Sequence, residues 1–250
     1  MDDYTRAAQM TATFTRAGGV LDYGLERSRL LVRVLRTLAR GHPVTPTDVD
    51  GLAREAGLAP DDVQVFLREV TERDGADRII GIVGLSLGEH PHRFSVNGRR
   101  LATWCAEDTL FLPALLGQTA RVESISPASR EPVHLTIGPE GVQAVSPPGA
   151  VVSIALVDPD QTDFGSVEAI WMTFCRHIHF FASREEAARW AVGRSDLAIL
   201  TPDEGTGSGA CWPTGFSRTP HEALAAETRT MSEESGDMAA PQVTVYYSTS

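Results

Sequence analysis

The chain contains no lysine, so its 22 basic residues other than histidine are all arginine, and 33 acidic residues leave a formal net charge of −11. That balance argues against nucleic acid as a partner, because phosphate binding needs a basic field. Long apolar runs are missing too. Nothing approaches the roughly 18 consecutive apolar residues of a membrane span, and the acidic start Met1-Asp2-Asp3-Tyr4 lacks the basic and then apolar segments of a secretory signal. The expectation is a cytoplasmic protein with neither membrane nor nucleic acid as partner. Cysteine is scarce: three residues, an odd number. In that compartment such usage argues against a disulfide framework and leaves thiols free for metal or redox chemistry.

What is present is globular. The chain is 42% hydrophobic and 22% charged over 250 residues, enough to bury a full core. Residues 1 to 25 show weak periodicity and read as a flexible arm. From Glu26, Leu30, Leu31, Val34, Leu35 and Leu38 recur at helical spacing, and Gly41 ends the helix. Thr45-Pro46-Thr47-Asp48 starts a second helix, with a capping hydroxyl, a proline at the first position and an early carboxylate. Pro60-Asp61-Asp62 opens a third, with Val63, Phe66, Leu67 and Val70 on its core face. The period then becomes that of strands, at Ile79 to Leu85 and Arg93 to Val96.

Three helices and a hairpin predict a winged-helix-like unit over 26–98. Asp61, Asp62, Glu69 and Glu72 outnumber Arg68 and Arg73 on and just after its third helix, which favours a packing scaffold over a DNA-binding surface. Ala102 to Leu116 reads as an apolar helix bent at Pro113, and strands are expected at 119–124, 133–137, 142–145 and 150–157 as an antiparallel meander. Ile170 to Phe181, rich in aromatics, reads as a buried strand. Ser183-Arg184-Glu185-Glu186 caps a helix through Trp190, and Leu197 to Leu200 forms a last strand. From 205 the composition turns to glycine, serine, threonine and acidic residues, predicting a disordered tail to 250 that begins with the linker Gly205-Thr206-Gly207-Ser208-Gly209. The expected fold class is α+β, with residues 99–204 as a catalytic domain of antiparallel strands and helices.

Two cysteines sit in distinctive stretches, Thr103-Trp104-Cys105-Ala106-Glu107-Asp108 and Phe174-Cys175-Arg176-His177-Ile178-His179-Phe180-Phe181. Cys105 reads as lying at a helix start, where backbone N–H groups favour its thiolate. Asp108, three residues on, shares its face and can take the thiol proton and return it. Cys175 with His177 and His179 alternates on the expected strand, which puts all three on one face. Their Cys-x-His-x-His run lacks the spacing of a structural zinc motif. Simple core packing is the competing reading for each cysteine. His90-Pro91-His92 reads as a turn with surface histidines, Trp104 as a packing residue that shields a pocket, and Cys211, in the tail, takes no site role.

The run from Arg93-Phe94 through Thr103-Trp104-Cys105-Ala106-Glu107-Asp108-Thr109-Leu110 to Phe111-Leu112-Pro113 and Ala120-Arg121-Val122-Glu123-Ser124 resembles the organomercurial (alkylmercury) lyases of bacterial mercury resistance. Gly149-Ala150-Val151-Val152-Ser153, Phe174-Cys175 and His179-Phe180-Phe181-Ala182-Ser183 extend the resemblance, which covers roughly residues 28 to 204. It implies cleavage of a carbon–mercury bond by protonolysis, giving a hydrocarbon and Hg(II), with the family's two essential cysteines and aspartate falling on Cys105, Cys175 and Asp108. It further implies no resident cofactor, mercury held by these three residues as substrate or product, external small thiols for turnover, and a mercuric reductase as acceptor of Hg(II). Elementary chemistry agrees, since soft mercury prefers thiolates and two of them make the bound carbon basic enough to take a proton. The expected order is attack by Cys105 as Asp108 takes its proton, then addition of Cys175, then delivery of the proton to carbon. Arg176 and Ser126 stand where some family members carry further cysteines, and the tail departs from the family pattern.

Two other classes compete. A metal-responsive winged-helix regulator would use the same thiols to sense Hg(II), but has no need of Asp108. A redox enzyme would pair Cys105 with Cys175, but there is no Cys-x-x-Cys motif.

Overall fold

The computed structural model describes residues 1–207 apart from 17, 18, 20, 159 and 160. Cys211, and the expected tail beyond residue 207, lie outside the described residues. The fold is α+β. Its helices are α1 (Asp3–Thr15), α2 (Leu25–Ala39), α3 (Pro46–Glu55), α4 (Pro60–Val70), α5 (Asp108–Leu116), α6 (Val167–Thr173), α7 (Arg184–Trp190) and α8 (Pro202–Gly207). Its strands are β1 (Thr71–Arg73), β2 (Ile79–Ile82), β3 (Leu85–Ser86), β4 (His92–Val96), β5 (Arg99–Thr103), β6 (Ala120–Ile125), β7 (Pro132–Gly138), β8 (Gly141–Ser146), β9 (Val151–Ala155), β10 (Phe180–Phe181) and β11 (Leu197–Leu200). One antiparallel sheet runs β1-β2-β3-β5-β4-β6-β7-β8, and a second runs β10-β9-β11.

Local chemistry explains most elements. Thr45 and Asp48 form a reciprocal capping box with Pro46 at the first turn of α3, and the buried faces of α2 and α4 fall on the leucines, valines and phenylalanine spaced for them. Asn97 and Gly98 both have positive φ, the geometry that joins β4 tightly to β5. Strict alternation of buried and exposed residues in β6 marks a strand with one face on the core. The meander holds for β6, β7 and β8, whereas β9, buried along its whole length, is the central strand of the second sheet.

Several expectations are corrected. The start of the chain is no flexible arm: residues 3–15 form α1, capped by Asp2, which accepts the Thr5 N–H at 2.8 Å. Ala7, Met10 and Phe14, spaced along one face, are buried in the core, while the Asp3 carboxylate accepts the Ile199 N–H of β11 at 2.8 Å. Burial of Met10 and Phe14 contributes about 1.5–3 kcal/mol each, which offsets the weak helix preference of a segment carrying four threonines.

The expected strand from 170 to 181 is instead α6, a 3₁₀ turn Cys175–His177 and the short β10. Ser166 caps α6 by accepting the Ala169 N–H at 3.1 Å, and of this stretch Ile170 and Phe174 line a cavity while Phe180 and Phe181 are buried in β10. The helix expected from 102 begins only at Asp108, because residues through Thr103 pair in β5. The glycine-rich linker expected at 205–209 begins within α8, where Thr201 and Glu204 cap each other's backbone N–H groups. His92 is a buried core residue whose Nδ1 lies 2.8 Å from Ser124 Oγ, not a surface turn histidine. Ser126 is buried and donates its hydroxyl to the Glu186 carboxylate, which also accepts N–H bonds from Ser129 and Ala182.

Candidate active site

The site forms where two loops are stitched together. At the end of β5 the Thr103 hydroxyl donates to the Cys105 carbonyl at 2.8 Å, and the Trp104 N–H donates to the Gly84 carbonyl at 2.8 Å. The chain then turns into α5, whose first residue is Asp108. Its Oδ2 accepts the Cys105 N–H at 2.7 Å, which holds the carboxylate back against the loop. The second loop is the 3₁₀ turn carrying Cys175, and the Ala106 N–H reaches the Ile178 carbonyl at 3.3 Å to join the two. The result brings one ligand atom from each of Cys105, Asp108 and Cys175 within 4.8 Å of one another. All three are buried, at 1%, 8% and 4% exposure.

Burial sets the electrostatics. It pushes the Asp108 carboxyl up to about 7, against the opposing pull of hydrogen bonds from the Cys105 N–H and thiol. Burial also raises the Cys105 thiol well above its ordinary value, helped by its hydrogen bond to Cys175 and by the nearby carboxylates. Cys175 is held down by that hydrogen bond from Cys105, but burial and the same carboxylates leave it raised overall. The expectation that a helix start makes Cys105 a thiolate is therefore overturned: Cys105 precedes α5 rather than opening it, and both thiols rest protonated at neutral pH. Asp108 is the one group of the three poised to exchange protons near pH 7.

A cavity of about 120 Å³ opens onto Cys175, Asp108 and Glu107. Its other walls are apolar and drawn from distant parts of the chain, among them Phe14 of α1, Leu31 of α2, Val70 of α4, Ile82 of β2 and Phe174. Trp104 lines it as well, and its Nε1–H donates to Glu72 Oε2 at 3.0 Å. The same oxygen lies 3.1 Å from His90 Nε2. Opposite Asp108 stands Gly84, with φ +80°, where an added Cβ would lie 2.2 Å from Asp108 Cγ.

The histidines expected beside Cys175 do not join it. His177 Nδ1 is 3.3 Å from Arg194 Nη1, and His179 Nε2 donates to the Arg176 carbonyl at 2.9 Å. Their period-two alignment with Cys175 disappears because Cys175–His177 is a turn. Sequence reasoning missed Gly84, Glu72 and the cavity aromatics Phe14 and Phe164. The capping serine Ser166 and the spacing of Ile170 and Phe174 were the available signals for the helix beside the cavity. Gly84 and Glu72 carried no local signal.

Comparisons with known proteins decide the family. The sequence model described as alkylmercury lyase (MerB) matches residues 85–212. The alkylmercury lyase of Pseudomonas putida is 40% identical over 186 residues, covering 74% of this chain and 82% of that protein. The chain belongs to the alkylmercury lyase family. The alkylmercury lyase of Streptomyces lividans is 39% identical over 196 residues, covering 78% and 84%, and that of Staphylococcus epidermidis is 34% identical over 200 residues, covering 79% and 85%. Among solved structures, the mercury-bound form of MerB2 superposes with a TM-score of 0.63 at 23% identity, over 82% of this chain and 96% of that one, a likeness in fold. Half of the cavity wall, from Phe14 to Gly84, lies before the span matched by the family model.

Proposed function

We propose that this alkylmercury lyase cleaves the carbon–mercury bond of organomercurials by protonolysis, with Cys105 and Cys175 as thiolate ligands and Asp108 as proton shuttle. The observation that carries the reading is the buried triad itself: two thiols and one carboxyl group within 4.8 Å, with the carboxyl titrating near 7.

The organomercurial arrives as R–Hg–SR′, carried by a small thiol. Cys175 lines the cavity and is the less buried thiol, which supports its meeting mercury first, the reverse of the order expected from the sequence. Its sulfur bonds to mercury, and the displaced R′S⁻ leaves with the Cys175 proton as R′SH. Cys105 then gives its proton to the Asp108 carboxylate and adds to mercury as a second thiolate. Two thiolates push electron density onto the bound carbon. The Hg–C bond breaks, its electron pair forms the new C–H bond with the Asp108 proton, and R–H departs. Hg(II) remains between two thiolates and Asp108 is again a carboxylate. External thiols remove the Hg(II) and return two protons to the cysteines, either into the thiol pool or toward a mercuric reductase. No resident cofactor enters these steps.

In this reading residues 26–98 act as a winged-helix-like support for the catalytic segment 99–204. Two observations favour support over DNA binding. β2 and β3 continue into the sheet that carries β5, and Asp61, Asp62 and Glu69 lie exposed on α4. A regulator would also have no use for a carboxyl tuned to about 7 between two thiols.

The test is headspace gas chromatography of purified protein with phenylmercuric acetate and excess small thiol. Wild type releases benzene with turnover, and Cys105→Ser and Cys175→Ser each abolish it. Mercury bound stoichiometrically without any benzene would replace the lyase reading with a mercury-binding one.

A further inference from the structure

Three phenylalanine rings from distant parts of the chain meet in one wall of the cavity. Phe14, Phe164 and Phe174 come from α1, from the segment before α6 and from the residue preceding Cys175, yet their rings form a closed triangle. The centroids are 5.2 Å apart for Phe14–Phe164, 6.2 Å for Phe14–Phe174 and 6.3 Å for Phe164–Phe174, with interplanar angles of 87°, 63° and 64°. These are edge-to-face contacts, which fix the rings against one another and leave ring faces and edges for a further aromatic guest. All three line the same cavity as Cys175 and Asp108.

Its volume sets the scale. At about 120 Å³ it is close to the ~150 Å³ apolar cavity known to hold one benzene molecule. Two fused rings exceed it. A mercury atom bonded to Cys175 therefore leaves room for one six-membered ring, or an alkyl group of no greater bulk, against the phenylalanine triangle.

The geometry points to a size filter: the Phe14–Phe164–Phe174 triangle selects organomercurials whose organic group is a single aryl ring or a short alkyl chain, with Phe164 and Phe14 setting the upper limit. The inference rests on the protonolysis reading, since the organic group is located by its bond to mercury. Phe164 is half-buried in a connecting segment, so its ring can be removed with less cost to folding than that of fully buried Phe14.

The experiment measures kcat/KM for phenylmercury and 1-naphthylmercury by chromatography of benzene and naphthalene. Both carry mercury on an sp² carbon, so their ratio reads size rather than bond type. A ratio taken on one preparation is also independent of the fraction folded. Wild type prefers phenyl by about 10-fold or more, the discrimination expected of a filled apolar pocket. Phe164→Ala, and separately Phe14→Leu, lower that ratio several-fold. Equal use of both substrates by wild type, or a ratio unmoved in both variants while benzene is still released, overturns the size filter and leaves protonolysis standing. No benzene from wild type overturns both.

Discussion

Gly84 and Asp108 meet so closely that a single methyl group at residue 84 would sit 2.2 Å from Asp108 Cγ and 2.3 Å from its Oδ1. The backbone at Gly84, with φ +80°, is also one that a residue with a side chain adopts only under strain. Gly84→Ala therefore displaces the carboxylate or the turn that faces it. A misplacement of about 1 Å at a reacting group costs on the order of 100-fold in rate. Hydrocarbon release falls by about that factor, while titration still finds both thiols of the site. Activity within a few-fold of wild type would show that the carboxylate has freedom that this packing denies it.

The raised carboxyl of Asp108 predicts two pH dependences. In the proposed mechanism the free enzyme needs Asp108 ionised to accept the Cys105 proton, so kcat/KM is expected to rise with pH through about 7. Stability runs the other way. Between pH 3.8 and about 7 the folded protein holds a proton on Asp108 that the unfolded chain has lost, so stability falls as pH rises through that window, by on the order of 4 kcal/mol in all. Asp108→Asn lacks this effect. Denaturant unfolding of the two proteins shows the variant gaining on wild type from pH 4 to pH 8, and parallel curves would contradict the shift.

Glu72 holds the indole of Trp104, which lines the cavity, through a 3.0 Å hydrogen bond, with His90 on the same oxygen. Glu72→Ala leaves the Nε1–H without its partner and costs about 1–3 kcal/mol. Glu72→Gln, which retains an acceptor, costs less. Chemical denaturation followed by tryptophan fluorescence compares them, and equal stability of both variants would assign Glu72 no part in holding Trp104.

Deletion of residues 1–15 removes α1 and with it a cavity wall. Phe14 alone, at 2% exposure, accounts for about 3–5 kcal/mol if truncated to alanine. The shortened protein unfolds at lower denaturant and loses hydrocarbon release. Full activity and unchanged stability would return this segment to the status of an arm.

What was legible in the sequence was whatever depended on near neighbours in the chain. Cys105 and Asp108 are three residues apart, so their proximity follows from one turn, and the capped helices α3 and α7 announce themselves through Thr45, Asp48 and Ser183. The meeting of Cys175 with Cys105 depends on a backbone bond between Ala106 and Ile178, which no local pattern encodes. The aromatic run before Phe181 carries strand-like composition, and the cavity overrides that preference by taking Phe164, Ile170 and Phe174 as its walls. The thiolate expected at Cys105 fails because the residue lies ahead of α5, whose first residue is Asp108, and because full burial opposes the charge. The local signals of α1, the Asp2 cap and the spacing of Ala7, Met10 and Phe14, are diluted by four threonines, and its contacts with β11 and the core supply the remaining stability.

In the proposed reaction Asp108 supplies the proton that breaks the carbon–mercury bond. A single turnover of Asp108→Asn with phenylmercuric acetate, followed by headspace gas chromatography for benzene and native mass spectrometry for protein-bound mercury, tests it most directly. The expected result is a phenylmercury adduct on the cysteines with benzene release slowed by at least about 1,000-fold, within the range for loss of a positioned acid. Benzene released at the wild-type rate would contradict it and assign the proton to a thiol or to water.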